Sequence, residues 1–376
     1  MNVLTRDDIS QTLKLQDSQN SKILKLQDPK TPRLQNSNHF IFPRFYQSIY
    51  SRKSLNLSHY LSSTMSPSAT TEFPNVILAH KGTDGRALED VADGIEELNR
   101  ARADIRDLET PSQFDADKDK SKFRQYEEAA DHVKEFYREQ HLKQTYAFNV
   151  KVRKDFAVRK RIPMTIWEAM ERLDRYVDKS DPDTDVGQIE HLLQSAEASR
   201  RDKRPRWFQF TCLIHDVGKL WGELGSEGQW DVVGDTFPVG CEYSKSIQLY
   251  GSLKDNPDYN NPEYNTKFGV YEEGCGLDKL MLSWGHDECL YQVVKDQSNL
   301  PDEALYIIRY HSFYPWHSEK AYMYFMNEAD YKGLAAVKAF NAYDLYSKND
   351  APPNVEELKP YYMDLINEFM PGVIYW

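Results

Sequence analysis

Trp207-Phe-Gln-Phe-Thr-Cys-Leu-Ile-His-Asp-Val-Gly-Lys219 is the stretch from which the rest of this chain can be read. Phe210, Leu213, Ile214, Val217 and Leu220 recur at helical spacing and mark one packed side. Residues four apart share a helix face, so His215 and Lys219 are predicted to project together, with Thr211 one turn earlier. Asp216 would sit about 100° round from His215. An imidazole and a carboxylate in a segment that belongs in the core cost several kcal/mol by rough estimate unless something compensates. A bound cation is the usual remedy. Gly218 would let another backbone or a ligand come close.

Working outward, His191 lies upstream and His286, His311 and Asp344 lie downstream, each in its own apolar, helix-like stretch. Four histidines and two aspartates suit two metal ions better than one, because a single ion seldom takes more than about six protein ligands. The set is all nitrogen and oxygen, which suits iron, manganese, cobalt or zinc without choosing among them. Singly, each residue has an ordinary reading. His191 could be a hydrogen-bonded histidine, His286 a helix terminus, His311 a ring packed among aromatics, and Asp344 a cap or an ion-pair partner. Together, in the order His, His-Asp, Asp on separate helices, they follow the pattern of the HD-domain metal-binding folds.

Helical periodicity dominates from about residue 114. Helices are expected over 123–141, 166–177, 188–199, 207–221, 277–286, 287–295, 302–311, 331–346 and 360–370. Thr165 followed three residues later by Glu168 is a capping-box start for the second of these. The best strand signal is the short β-branched run Trp230-Asp-Val-Val233. The expectation is therefore an all-α fold, an HD-domain-like helical bundle around a dinuclear metal site, with a minor strand or hairpin. Two domains of the chain are expected: an extension over 1–110 and the bundle over 111–376. Residues 1–75 are rich in Ser, Asn, Gln and Lys and read as a disordered N-terminal extension. That segment is a true extension, an organelle transit peptide, or sequence upstream of a start at Met65.

The chain has 376 residues and a formal charge of −12. Residues 1–72 hold nine Lys/Arg against five Asp/Glu, a net of +4, which leaves −16 for the remainder. An acidic folded part argues against a nucleic-acid partner. No apolar run reaches the roughly 18–20 residues of a membrane span. Four cysteines without a C-x-x-C pair read as reduced thiols, pointing to a cytoplasmic protein. The sequence leaves the oligomeric state open.

Longer stretches carry a specific resemblance. They are Val177-Asp-Lys-Ser-Asp-Pro-Asp183, His191-Leu-Leu-Gln-Ser-Ala-Glu197, Leu213-Ile-His-Asp-Val-Gly-Lys219 and Val232-Val-Gly-Asp-Thr-Phe-Pro-Val-Gly-Cys241. Ser283-Trp-Gly-His-Asp-Glu288, Arg309-Tyr-His-Ser-Phe-Tyr-Pro-Trp-His317 and Phe340-Asn-Ala-Tyr-Asp-Leu-Tyr346 follow. From about Phe123 to Trp376 the chain resembles the myo-inositol oxygenases, diiron members of the HD-domain class. It departs from their usual pattern at Val217, where Leu is common, and at Asp231, where a small apolar residue is. The resemblance implies two iron ions per subunit in a mixed-valent Fe(II)/Fe(III) pair. One would be held by His191, His215, Asp216 and Asp344, the other by Asp216, His286 and His311, with Asp216 bridging. It implies a myo-inositol pocket formed by Arg124, Asp178, Asp181, Lys219, Gly234, Asp235, His311 and Ser312, with Lys219 catalytic. It also implies cleavage of the C1–C6 bond of myo-inositol by O2 to give D-glucuronate.

Two other readings compete. An HD-domain metal-dependent phosphohydrolase would want Arg and Lys in excess around the site. The motif stretches offer mainly Lys219, with acids such as Asp178 and Asp235 beside it. A non-catalytic helical scaffold would have lost ligand positions, and none is missing.

Overall fold

Helices carry the architecture, as the periodicity requires. A computed structural model describes residues 108–178, 180, 187–347 and 353–376. Its helices are α1 (Asp131–Lys143), α2 (Tyr146–Val158), α3 (Ile166–Leu173), α4 (Gln188–Arg201), α5 (Arg206–Ile214) and α6 (Trp221–Leu224). Then come α7 (His286–Val294), α8 (Asp302–Tyr310), α9 (Tyr314–His317), α10 (Glu328–Leu345) and α11 (Val355–Phe369). β1 (Pro163–Met164) and β2 (Ile374–Tyr375) pair antiparallel, Pro163 opposite Tyr375 and Met164 opposite Ile374. The readings made for the chain before residue 108, and for Asp181, lie outside the described residues.

α3 begins as its sequence predicts. Thr165 Oγ1 accepts from Glu168 N, and Glu168 Oε2 accepts from Thr165 N at 2.8 Å, so two donors at the helix start are satisfied. α4 and α5 pack most extensively on each other, α10 lies against α8 and α4, and α11 covers α5. Phe208, Phe210, Leu213, Ile214, Phe340 and Tyr343 are fully buried at these contacts. Each such side chain stabilises the fold by roughly 1.5–3 kcal/mol on leaving water. A second, smaller apolar cluster of Phe237, Val239, Tyr243, Ile247 and Leu253 backs the loop that follows Gly234.

The largest departures from the predicted elements fall at five places, each with a local cause. The helix expected over 123–141 starts only at Asp131, because Arg124 has a φ of 58°, outside the helical region, and Ala130 is non-helical. The helix expected over 207–221 ends at Ile214. His215 and Asp216 lead into a 3-10 turn, Val217–Leu220, in which Lys219 N donates to Asp216 O at 2.9 Å. Gly218 explains the break: a Cβ there would lie 2.1 Å from His286 O and 2.9 Å from Leu290 Cβ, so α7 rests directly on this turn. Lys219 thus enters the site through a tight turn, not from a shared α-helical face with His215. The strand expected at Trp230 to Val233 is instead a 3-10 turn, Gln229–Asp231. Asp231 accepts from Glu227 N and Gly228 N, and Val232 O is taken by His286 N at 2.7 Å. The strands formed are β1 and β2, far from that run. Of the helix expected over 277–286, only a 3-10 turn, Leu277–Lys279, forms. The following residues are extended because Ser283 N donates to Phe237 O and Val239 N to Met281 O. α2 was not foreseen, since Asn149 stands with Val152 and Phe156 on its buried face and breaks the apolar stripe.

Candidate metal centre

Three of the four histidines stand at helix ends, where backbone groups lack partners. His215 follows the last residue of α5, and its Nδ1 donates to Cys212 O at 2.8 Å. His311 follows the last residue of α8, with Nδ1 directed at Ile307 O and Ile308 O, both at 3.2 Å. His286 opens α7, and its Nδ1 donates to Val232 O at 2.9 Å. A carbonyl can only accept, so each Nδ1 carries a proton, and each inward-facing Nε2 offers a lone pair whenever its ring is neutral. His191 lies inside α4, and its Nδ1 is buried without a hydrogen-bond partner.

The Nε2 atoms converge on Asp216. Its Oδ2 lies 3.6 Å from His191 Nε2 and 3.4 Å from His215 Nε2. Its Oδ1 lies 3.1 Å from His286 Nε2 and 3.7 Å from His311 Nε2. One carboxylate therefore faces two histidine pairs, one through each oxygen. Asp344 Oδ1 joins the first pair, 3.2 Å from His191 Nε2 and 3.4 Å from His215 Nε2. His191, His215 and Asp216 form one group able to hold a cation, and Asp216, His286 and His311 form another. His215 Nε2 is fully buried with no hydrogen bond in a region rich in acceptors and aimed at the same centre. Such an atom is costly unless a cation takes its lone pair, so the residues fit a pair of metal ions.

With protein charges alone, the cluster is strongly coupled. Burial works against the His215 imidazolium, but the Asp216 carboxylate outweighs it and the ring is pushed up to about 9. His286, between Asp287 and Asp216, is likewise pushed up to about 10 against its burial. His191 is held below the ordinary histidine value, burial prevailing over Asp344. Asp216 stays well below the usual carboxylate range despite burial, because Lys219 and His215 face it. Metals bind neutral rings, so an ion entering here displaces protons.

A small cavity, about 60 Å³, opens on the cluster. Arg124, Asp178, Lys219, Gly234, Asp235, His286, His311, Ser312 and Asp344 all line it, so the predicted substrate residues that the structure describes are brought together. They are paired to one another. Lys219 Nζ lies 2.8 Å from Asp178 Oδ2 and 2.8 Å from Asp216 Oδ2. It is buried, not snorkelled to solvent, and two carboxylates hold its ammonium above the ordinary lysine value against the cost of burial. Arg124 bonds both oxygens of Asp235, at 2.6 and 3.2 Å, and its guanidinium lies over the Tyr314 ring. Gly234 has a φ of +90°, and a Cβ there would meet Phe136 at 2.7 Å. Asp231 is absent from the cavity wall, since it anchors the turn before Val232. A larger groove of about 710 Å³, between Leu108 and Ala342, holds none of the histidines.

Ser180, Tyr126, Tyr137, Tyr314 and Leu345 also line the cavity and were not foreseen. Ser180 has a signal in hindsight, two residues after Asp178, whose Oδ1 accepts from its N and Oγ. The tyrosines have none, because an aromatic wall reads like core. Asp287, beside His286, was also passed over. Its Oδ1 lies 2.8 Å from His286 Nε2.

Known proteins match this chain over the same region. A family model described as myo-inositol oxygenase matches residues 130–376. Inositol oxygenase 1 of Arabidopsis thaliana is 49% identical over 261 residues, spanning 68% of this chain and 84% of the relative. The inositol oxygenase of Dictyostelium discoideum is 45% identical over 270 residues, 70% of this chain and 92% of the relative. That of Danio rerio is 46% identical over 265 residues, 69% of this chain and 95% of the relative.

Proposed function

We propose, for a chain that belongs to the myo-inositol oxygenase family, the oxidative ring opening of myo-inositol by O2 to D-glucuronate. The observation that carries the reading is the single carboxylate Asp216, each oxygen facing its own histidine pair at the floor of a polar cavity. In this reading two iron ions sit there, one on His191, His215, Asp216 and Asp344, the other on Asp216, His286 and His311. The irons would supply Lewis acidity toward a substrate hydroxyl and a redox centre for O2, the four electrons coming from C1 and C6 of the substrate as they become the carboxylate and the aldehyde of the product. O2 accepts four electrons in all, one oxygen atom entering the product and the other leaving as water.

The chain's own residues bind and orient the ring. Asp178 and Asp235 accept from substrate hydroxyls, Arg124 and Lys219 donate, and the backbone at Gly234 forms part of the wall. Lys219 stays protonated between its carboxylates and stabilises a substrate oxygen that has given up its proton. The cavity wall sets two cations, Arg124 and Lys219, against four carboxylates, Asp178, Asp216, Asp235 and Asp344. Asp216 and Asp344 would be neutralised by the irons, and the other two carboxylates already pair with Lys219 and Arg124, so neither wall cation is left over for a phosphate ester, which disfavours the phosphohydrolase reading. The catalytic domain is assigned to 111–376. The four cysteines are free thiols, which suits the cytoplasm, and among the described residues no helix is long and apolar enough to cross a membrane.

Protein purified without oxygen should contain about two irons per chain by this ligand count. It should consume O2 on addition of myo-inositol. Stoichiometric zinc without iron, at full activity, would overturn the reading.

A further inference from the structure

Asp287 has no part in the ligand sets proposed above, yet it is buried beside the second histidine pair. Its Oδ2 accepts from Ser312 N at 3.1 Å and its Oδ1 from Ser312 Oγ at 3.0 Å. Thr236 N donates to Ser312 O at 2.9 Å, so the serine backbone is fixed on both sides. A hydroxyl has one proton and two lone pairs, and an ionised carboxylate can only accept. Ser312 therefore spends its proton on Asp287 and turns lone pairs toward the cavity it lines.

We propose that Asp287 is a positioning residue that fixes Ser312 as a hydrogen-bond acceptor for substrate. The inference rests on the inositol reading and adds a rule to it. A ring hydroxyl that meets Ser312 must donate, so it keeps its proton. A ring oxygen that has lost its proton is turned away from Ser312 and belongs on the Lys219 side. Asp287 thus helps to choose which hydroxyls of the ring face the metals and which are held aside.

The test uses iron-loaded full-length protein and compares Asp287→Asn, Ser312→Ala and the double variant with wild type. An asparagine amide donates where the carboxylate accepted, and so reverses the serine hydroxyl. Each single change should raise KM for myo-inositol roughly 10-fold, the worth of one hydrogen bond. kcat and iron content should stay close to wild type. The double variant should be no worse than either single one, because both act through one hydroxyl. Additive effects, or an unchanged KM in Ser312→Ala, would overturn the inference. So would loss of an iron equivalent in Asp287→Asn but not in Ser312→Ala, which would make Asp287 a ligand. If Asp287→Asn fails to fold, Asp287→Glu, which keeps the charge but displaces the acceptor, replaces it and should raise KM with kcat and iron content retained; an unchanged KM in that variant would overturn the inference. Absence of O2 uptake by wild type with myo-inositol would bring down the functional reading itself, whereas normal wild-type turnover with additive variants overturns only this inference.

Discussion

Lys219→Met removes a buried cation that two carboxylates hold at 2.8 Å each. Methionine keeps most of the stem's volume and drops the charge. Asp178 is then left with Ser180 N at 2.8 Å and Ser180 Oγ at 2.6 Å, and no counter-charge among the contacts described for it. Asp216 retains the histidines. Removing one partner of a buried pair costs about 3–5 kcal/mol, chiefly through the charge left behind. For a folded region of this size each kcal/mol lowers Tm by roughly 2–4 °C, so the metal-free variant should melt roughly 6–20 °C below wild type. With iron bound, the ions compensate Asp216, and the deficit should shrink to the share owed to Asp178. Lys219→Met/Asp178→Asn, which removes both charges, should recover much of the loss. Calorimetry of metal-free and iron-loaded forms measures all of these. The iron-loaded single variant should keep its metal and lose turnover strongly. A metal-free Lys219→Met that melts within about 1 °C of metal-free wild type would refute the buried triad, and undiminished turnover of the iron-loaded variant would refute its role.

Two further outcomes follow from the cluster. Asp216→Asn should lower iron at both proposed sites and Asp344→Asn mainly at one; equal loss in both variants, measured by elemental analysis, would count against a bridging Asp216. His215 and His286 are raised above the ordinary histidine value, to about 9 and about 10. The stability they lend the metal-free protein is full below an unfolded pKa of about 6.5 and is lost as pH rises through those folded values. Metal-free Tm should therefore fall as pH rises above neutrality, iron-loaded Tm should not, and iron uptake near neutral pH should release protons into a weakly buffered indicator solution. Uptake without proton release would show that the rings are already neutral.

The candidate ligands were legible because a histidine or aspartate inside an apolar run demands a reason, and six such residues in order leave few. The long motifs also carried Asp178, Lys219, Asp235 and Ser312 to the cavity wall. What stayed hidden depends on contacts between distant segments. The helix break after Ile214 is imposed by α7 resting on Gly218, and nothing between 207 and 221 states where α7 will lie. The misread strand at Trp230 to Val233 loses Val232 O to His286, 54 positions along the chain. Asp287 was overlooked because a carboxylate next to a ligand histidine reads as part of the same signal. Its meaning appears only when Ser312 arrives 25 positions later.

The small sheet has a bearing on how the protein comes into being. Trp376 Nε1 reaches Met164 O across 212 positions, and β2 supplies the only strand partner of β1 among the described residues. Every proposed metal ligand, from His191 to Asp344, lies in the stretch of chain between these two strands. A ribosome delivers residue 164 long before residue 374, so the clasp cannot shut while the intervening chain is still being made. All the ligand-bearing segments thus leave the ribosome before their enclosing loop is tied. Final closure of the bundle therefore waits for residues 374–376, and a chain cut a few residues before Ile374 would keep every proposed ligand yet leave the loop unfastened.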